Sequence, residues 1–159
     1  MALLGGCGTG LSASASAQAP PETVHWTVAT TPAAGVQPGG ELALEIQGQI
    51  QDGWHVYGLK QLPDGPTPLR VKLDANDTAT AAGEASETPP QTLHDVRFGL
   101  DTQFHTHAVT VHLPVRIAAD AAGRRQIPVS VRFQLCSESE CQPPRTVHLA
   151  ATIDVGTHG

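Results

Sequence analysis

A chain of 159 residues holds one domain with its own core and is too short for two comfortable ones. Aromatic residues make up only 4% of it while glycine (16) and proline (13) are abundant, which excludes long helices as its main elements. The formal charge of −6 argues against nucleic acid and anionic membrane surfaces as partners, and no stretch approaches the roughly 18–20 apolar residues that cross a bilayer.

Residues 1–19 read as a signal-peptide remnant and 20–159 as the domain. The run Ala13-Ser14-Ala15-Ser16-Ala17 suits signal-peptidase cleavage after Ala17, although a basic n-region and most of a hydrophobic stretch are missing, as from a truncated or misplaced start. Leu4-Gly5-Gly6-Cys7 offers the alternative of a lipidated Cys7. Either route exports the chain to an oxidising compartment, where a pair of cysteines is joined or poised to join.

Beyond the leader, apolar alternation recurs and helical periodicity hardly appears. Strands are expected at Val24–Ala29, around Leu42, Leu44 and Ile46, and at Trp54–Leu59, Leu69–Leu73 and Thr92–Phe98. Longer one-faced sets follow: Val109–Ile117, then Val129, Val131, Phe133 and Leu135, then Val147–Val155. Turn chemistry separates them at Gln37-Pro38-Gly39-Gly40, Gln51-Asp52-Gly53 and Pro63-Asp64-Gly65-Pro66. About eight strands of this kind predict an all-β, antiparallel two-sheet sandwich. Pro114 and Pro128 then need edge or bulge positions, because proline donates nothing to a ladder. Ala75–Gln91 reads as the long loop.

Cys136 and Cys141 end the third of these sets, four residues apart and followed by Pro143-Pro144. If Val129, Val131, Phe133 and Leu135 face the core, Cys136 falls on the other face with Ser130, Arg132 and Gln134, pointing outward. A six-residue ring would supply about 2 kcal/mol by chain entropy, a modest staple. The pair is therefore either a structural clip or a redox dithiol. Glu138 and Glu140 beside it make a thiol less acidic and less reactive on its own.

The stretch Phe133–Pro144, with Gln134, the two cysteines and Pro143-Pro144, resembles the N-terminal (alpha) domain of the thiol:disulfide interchange protein DsbD. Ile50-Gln51-Asp52-Gly53-Trp54-His55-Val56-Tyr57 is similar to one strand of that domain, and Val109–Ile117 to the strand before its cysteine hairpin. The resemblance runs from about Val24 to Val155. It implies an immunoglobulin-like sandwich without a cofactor, monomeric, whose Cys136 and Cys141 take electrons from a membrane electron-transfer protein and reduce periplasmic thioredoxin-fold proteins. With the chain ending at Gly159, that membrane carrier is expected to be a separate protein. Cys136 would resolve and Cys141 form the mixed disulfide. The family shields its cysteines with a cap loop that carries a Phe beside acidic residues and a Tyr-Gly. His94–Gly99 corresponds to it, with Asp95 as the acidic residue and Arg97 standing where the cap Phe belongs if Phe98-Gly99 matches the Tyr-Gly. Phe98 or Phe104 would then serve as the cap, and Tyr57 and Trp54 as walls.

Two other readings stay open. His105-Thr106-His107 sets two imidazoles on one side of a strand, a weak copper or zinc signal with His94 and His112 as further candidates. Alternatively the cysteine ring only shapes a loop of a non-catalytic interaction module. Hydrolase and kinase chemistry have no foothold, since neither a Gly-x-Ser-x-Gly nor a phosphate loop is present.

Overall fold

The computed structural model describes residues 22–32 and 35–156. The expected leader over residues 1–19, with Cys7, lies outside the described residues. Among those described there is no helix, and all strand pairings between named strands are antiparallel. The strands in chain order are β1 (Val24–Thr31), β2 (Glu41–Ile50), β3 (Trp54–Tyr57), β4 (Arg70–Leu73), β5 (Ala79–Ala81) and β6 (Ser86–Glu87). They continue with β7 (Gln91–Asp95), β8 (Leu100–His105), β9 (Ala108–Ile117), β10 (Gly123–Phe133), β11 (Leu135–Ser137) and β12 (Arg145–Val155).

They form an immunoglobulin-like sandwich with one appended sheet. The first sheet runs β1-β2-β9-β5, with β6 also on β9; the second runs β12-β10-β4. Their inward side chains alternate along each strand, as in β9, where Val109, Val111, Leu113, Val115 and Ile117 are buried. These meet Ile127, Val129, Val131 and Phe133 of β10 in one core cluster. Trp26 of β1 packs against Phe133 across the sandwich, ring centroids 5.3 Å apart. It lies over Gly48, its register partner, where a Cβ would come within 2.8 Å of the indole. Glycine is needed there for space.

Both prolines sit inside central strands yet leave no ladder broken. Pro114 accepts from the Ala82 N–H, so its nitrogen side faces the break between β5 and β6. Pro128 accepts from Asp74 N–H just past the end of β4. Edge or bulge positions are thus not required; a gap in the neighbouring strand suffices.

Several expectations need correction. Ala75–Gln91 is no free loop: β5 and β6 strap it to β9, and Asn76 Oδ1 accepts from the N–H groups of Thr78 and Ala79 to shape its start. Pairings of two or three residues are too short for alternation to reveal. The strand expected over Thr92–Phe98 stops at Asp95, where a turn closed by Gly99 N–H on Asp95 O takes over. Gly99 has φ +68°, which favours glycine. Leu100–His105 is a strand that alternation did not reveal, and the strand entering the cysteine hairpin is β10, not Val109–Ile117.

The third sheet, β11-β3-β8-β7, carries the cysteines. The single run expected from Val129 to Leu135 is broken at Gln134, where the chain leaves the second sheet for the third. Gln134 holds this crossing at both ends: its Oε1 accepts the Thr67 N–H at 2.8 Å and its carbonyl accepts the Tyr57 N–H at 3.4 Å.

Candidate functional site

Cys136 and Cys141 are joined, with S–S 2.02 Å and Cα atoms 4.0 Å apart. The hairpin that presents them is closed by Ser137 N–H on Glu140 O (2.7 Å) and Gln142 N–H on Leu135 O (2.9 Å). These bonds flank the cysteines, which therefore face each other as a non-hydrogen-bonded antiparallel pair, the kind that brings side chains closest. Ser137 Oγ accepts the N–H groups of Ser139 and Glu140 and so shapes the turn. Pro143 and Pro144 form the exit into β12.

Strand register places the partners. Leu135 pairs with Val56 and Cys136 with His55, so Leu135 and Val56 face the main core while Cys136 and His55 share the opposite face. Cys136 does lie off the core face. It is nevertheless fully buried, at 0% exposure, whereas Cys141 is exposed. The outward orientation expected from alternation is thus corrected: a second layer covers that face. Tyr57 is buried in the same way, outside the main core cluster.

This layer is a small set of rings under a turn. His55 meets Tyr57 edge-on at 5.0 Å and Phe104 at 5.2 Å, and Tyr57 meets Phe98 edge-on at 6.0 Å. The Tyr57 hydroxyl donates to Asp95 Oδ2 at 2.7 Å, and Asp95 Oδ1 accepts the Arg97 N–H at 3.0 Å. Arg97 Nη1 in turn donates to Cys141 Sγ at 3.3 Å. Burial, then the bond to Asp95, pushes the Tyr57 phenol well above its usual range. Burial also holds the His55 imidazole below the ordinary histidine value, with Asp95 opposing and Arg97 adding to the depression. His55 is therefore neutral at pH 7, a ring that can accept a proton but carries no charge.

Of the residues singled out in the sequence, Tyr57, Asp95, Phe98 and Phe104 gather on the cysteine face. Trp54 pairs with Ser137 and packs against the main core on the other face. Arg97 reaches the disulfide from the position expected for the cap Phe. Two open clefts flank the hairpin: one of about 340 Å³ between His55, Phe104 and the 95–97 turn, the other of about 420 Å³ bordered by Trp54 and His107. His55 lines both, a residue to which the sequence reading assigned no role. The signal was available, since His55 and Tyr57 are two apart in a strand and share a face.

The two histidines considered for a metal do not converge. His105 is buried and bonds Glu87 at 2.8 Å, while His107, at φ +67°, is exposed and faces Asp52 at 3.3 Å. Among the described residues no group of three or more His, Cys, Asp or Glu side chains could hold an ion. Glu87 is instead occupied in structure, accepting the Leu59 N–H with both oxygens.

Among solved structures, the chain is similar to the reduced DsbD N-terminal domain of Neisseria meningitidis at 23% identity, over 74% of this chain and 78% of that one, TM-score 0.48. It is similar to a complex of the DsbD and PilB N-terminal domains of the same organism at 20% identity, over 68% and 73%, TM-score 0.44. The N-terminal periplasmic domain of ScsB from Proteus mirabilis shares its fold at 14% identity, over 82% of this chain and 45% of that one, TM-score 0.51. No curated protein matches. The family model for the N-terminal part of thiol:disulfide interchange protein DsbD matches residues 23–152, and the chain belongs to that family.

Proposed function

We propose that this protein is a periplasmic thiol-disulfide exchange module, a protein-disulfide reductase in type. Residues 1–19 act as its export leader and 20–159 as the working domain. It passes reducing equivalents from a membrane electron carrier to thioredoxin-fold partners through Cys136 and Cys141. The observation that carries the reading is the asymmetry of the pair: one cysteine is fully buried and the other exposed, on a hairpin whose turn residues line two clefts. A purely structural clip needs no such arrangement, and the hairpin is already closed by backbone bonds.

In the reduced protein the Cys141 thiolate attacks one sulfur of a partner's disulfide. A mixed disulfide forms and the partner's other sulfur leaves as thiolate. Cys136, having lost its proton, then attacks Cys141 Sγ and expels the partner's second thiolate. Two electrons pass to the partner, whose two thiolates take up the proton given up by Cys136 and one from solvent, and the Cys136–Cys141 disulfide is restored. Phe98, Phe104 and Tyr57 wall the site, and Gln134 with Pro143 and Pro144 fixes where the hairpin leaves and rejoins the sandwich.

The test is a redox titration paired with a trap. The disulfide is expected to have a potential well above about −300 mV, the region of structural bridges. Cys136→Ala should accumulate a mixed disulfide between Cys141 and a thioredoxin-fold protein. A potential below that region, with no trapped adduct, would refute the proposal and leave the interaction module.

A further inference from the structure

The contact that the cap turn makes with the disulfide comes from a cationic donor. Asp95 Oδ1 holds the Arg97 backbone N–H, and from that fixed point the guanidinium reaches Cys141 Sγ at 3.3 Å. Asp95 is engaged on its other oxygen by Tyr57, and among the described residues Arg97 makes no ion pair with a carboxylate. Its charge bears on Tyr57 and His55 as well as on the sulfur. The other ionisable groups around the pair are Glu138 and Glu140 on the hairpin, His55 and Tyr57 on β3, and Asp95 on the turn. The carboxylates oppose a thiolate, and neutral His55 does neither.

We infer that Arg97 is a catalytic residue for the exchange proposed above: its guanidinium stabilises Cys141 as a thiolate and thereby selects which of the two sulfurs attacks. Cys136 is fully buried opposite His55, and because burial disfavours a thiolate it stays protonated until the mixed disulfide has formed. When the partner's disulfide is attacked, the bond from Cys141 to the partner's sulfur forms as the partner's S–S bond breaks. The negative charge moves from beside Arg97 to the departing sulfur. In the reverse sense the incoming thiolate attacks the exposed Cys141 and expels Cys136; Arg97 acts in the second step, when the mixed disulfide is cleaved and Cys141 departs as thiolate. The inference rests on the exchange reading, but its test does not require a partner.

The experiment follows alkylation of Cys141 by iodoacetamide against pH in the full chain carrying Cys136→Ala. It is read by mass spectrometry of the peptide that holds Cys141, which separates it from Cys7. Adding Arg97→Gln should raise the midpoint of the profile by about one pH unit, a tenfold loss of thiolate below the midpoint. Arg97→Lys, which keeps the charge, should recover part of that shift. An unchanged midpoint in Arg97→Gln overturns the inference. So does a shift that Arg97→Lys leaves in full, because shape rather than charge would then be operative. Failure of the trapping experiment would remove the partner exchange but leave this profile to be read on its own terms.

Discussion

The main sandwich and the cysteine sheet bury their residues by different means. In the sandwich, two sheets stack and each covers the other, so Leu44, Ile46, Val111 and Val131 are fully buried by neighbours of the same kind. In the cysteine sheet only one face meets that core. The other is covered by the few residues of the 95–99 turn and by rings standing on β3 and β8. The first arrangement maximises apolar contact. The second keeps one sulfur dry and the other within reach of solvent, with polar groups as the cover.

That contrast sets an order of expected effects. The largest belongs to the sandwich: Phe133→Ala removes a ring that packs on Trp26 and lies under the Arg145 guanidinium. A loss of about 3–5 kcal/mol in urea unfolding is expected, and a loss below about 1 kcal/mol would mean that the two layers are not tightly stacked there. Next is the disulfide. Reducing it should cost about 2 kcal/mol, from closing so small a ring, and leave the β-sheet circular dichroism unchanged. Global unfolding on reduction would erase the distinction between the two regions.

The smallest effect is a pH dependence at His55. Its folded value lies below the ordinary 6.5 because of burial, so the unfolded chain takes up the proton first as pH falls. The stability from keeping His55 neutral is complete above about pH 6.5 and declines as pH falls from there toward the folded value. The urea midpoint should therefore drop more between about pH 7.5 and about pH 5.5 in the parent than in His55→Asn. Equal drops would show that the cover over the cysteine face does not desolvate this ring.

The same contrast explains what the amino-acid order made legible. Long alternating sets in β2, β9, β10 and β12 carry the sandwich, because a half-buried strand must place every second side chain inside. The cysteine motif and its aromatic strand pointed to the site. What escaped was the burial of Cys136, since the turn that supplies Arg97 beside the disulfide lies 44 residues from Cys141 in the chain. No local period encodes such a cover. The break at Gln134 escaped for a related reason: Phe133 and Leu135 keep the alternation intact while the sheet to which they belong changes. Arg97 was noted only as standing in an aromatic's place, and its chemistry became visible once the sulfur was found next to it.

The last rung of the β10–β12 ladder, Phe133 opposite Arg145, closes just before the hairpin that bears the cysteines. Both arms leading to the sulfurs are therefore clamped whether the ring is open or closed. Cys136 then meets Cys141 at a high effective concentration fixed by the ladder rather than by the ring itself. Under the exchange proposed above, a partner held through Cys141 is released quickly by its neighbour, which makes the bound intermediate brief. On that reading it is expected to persist only in Cys136→Ala.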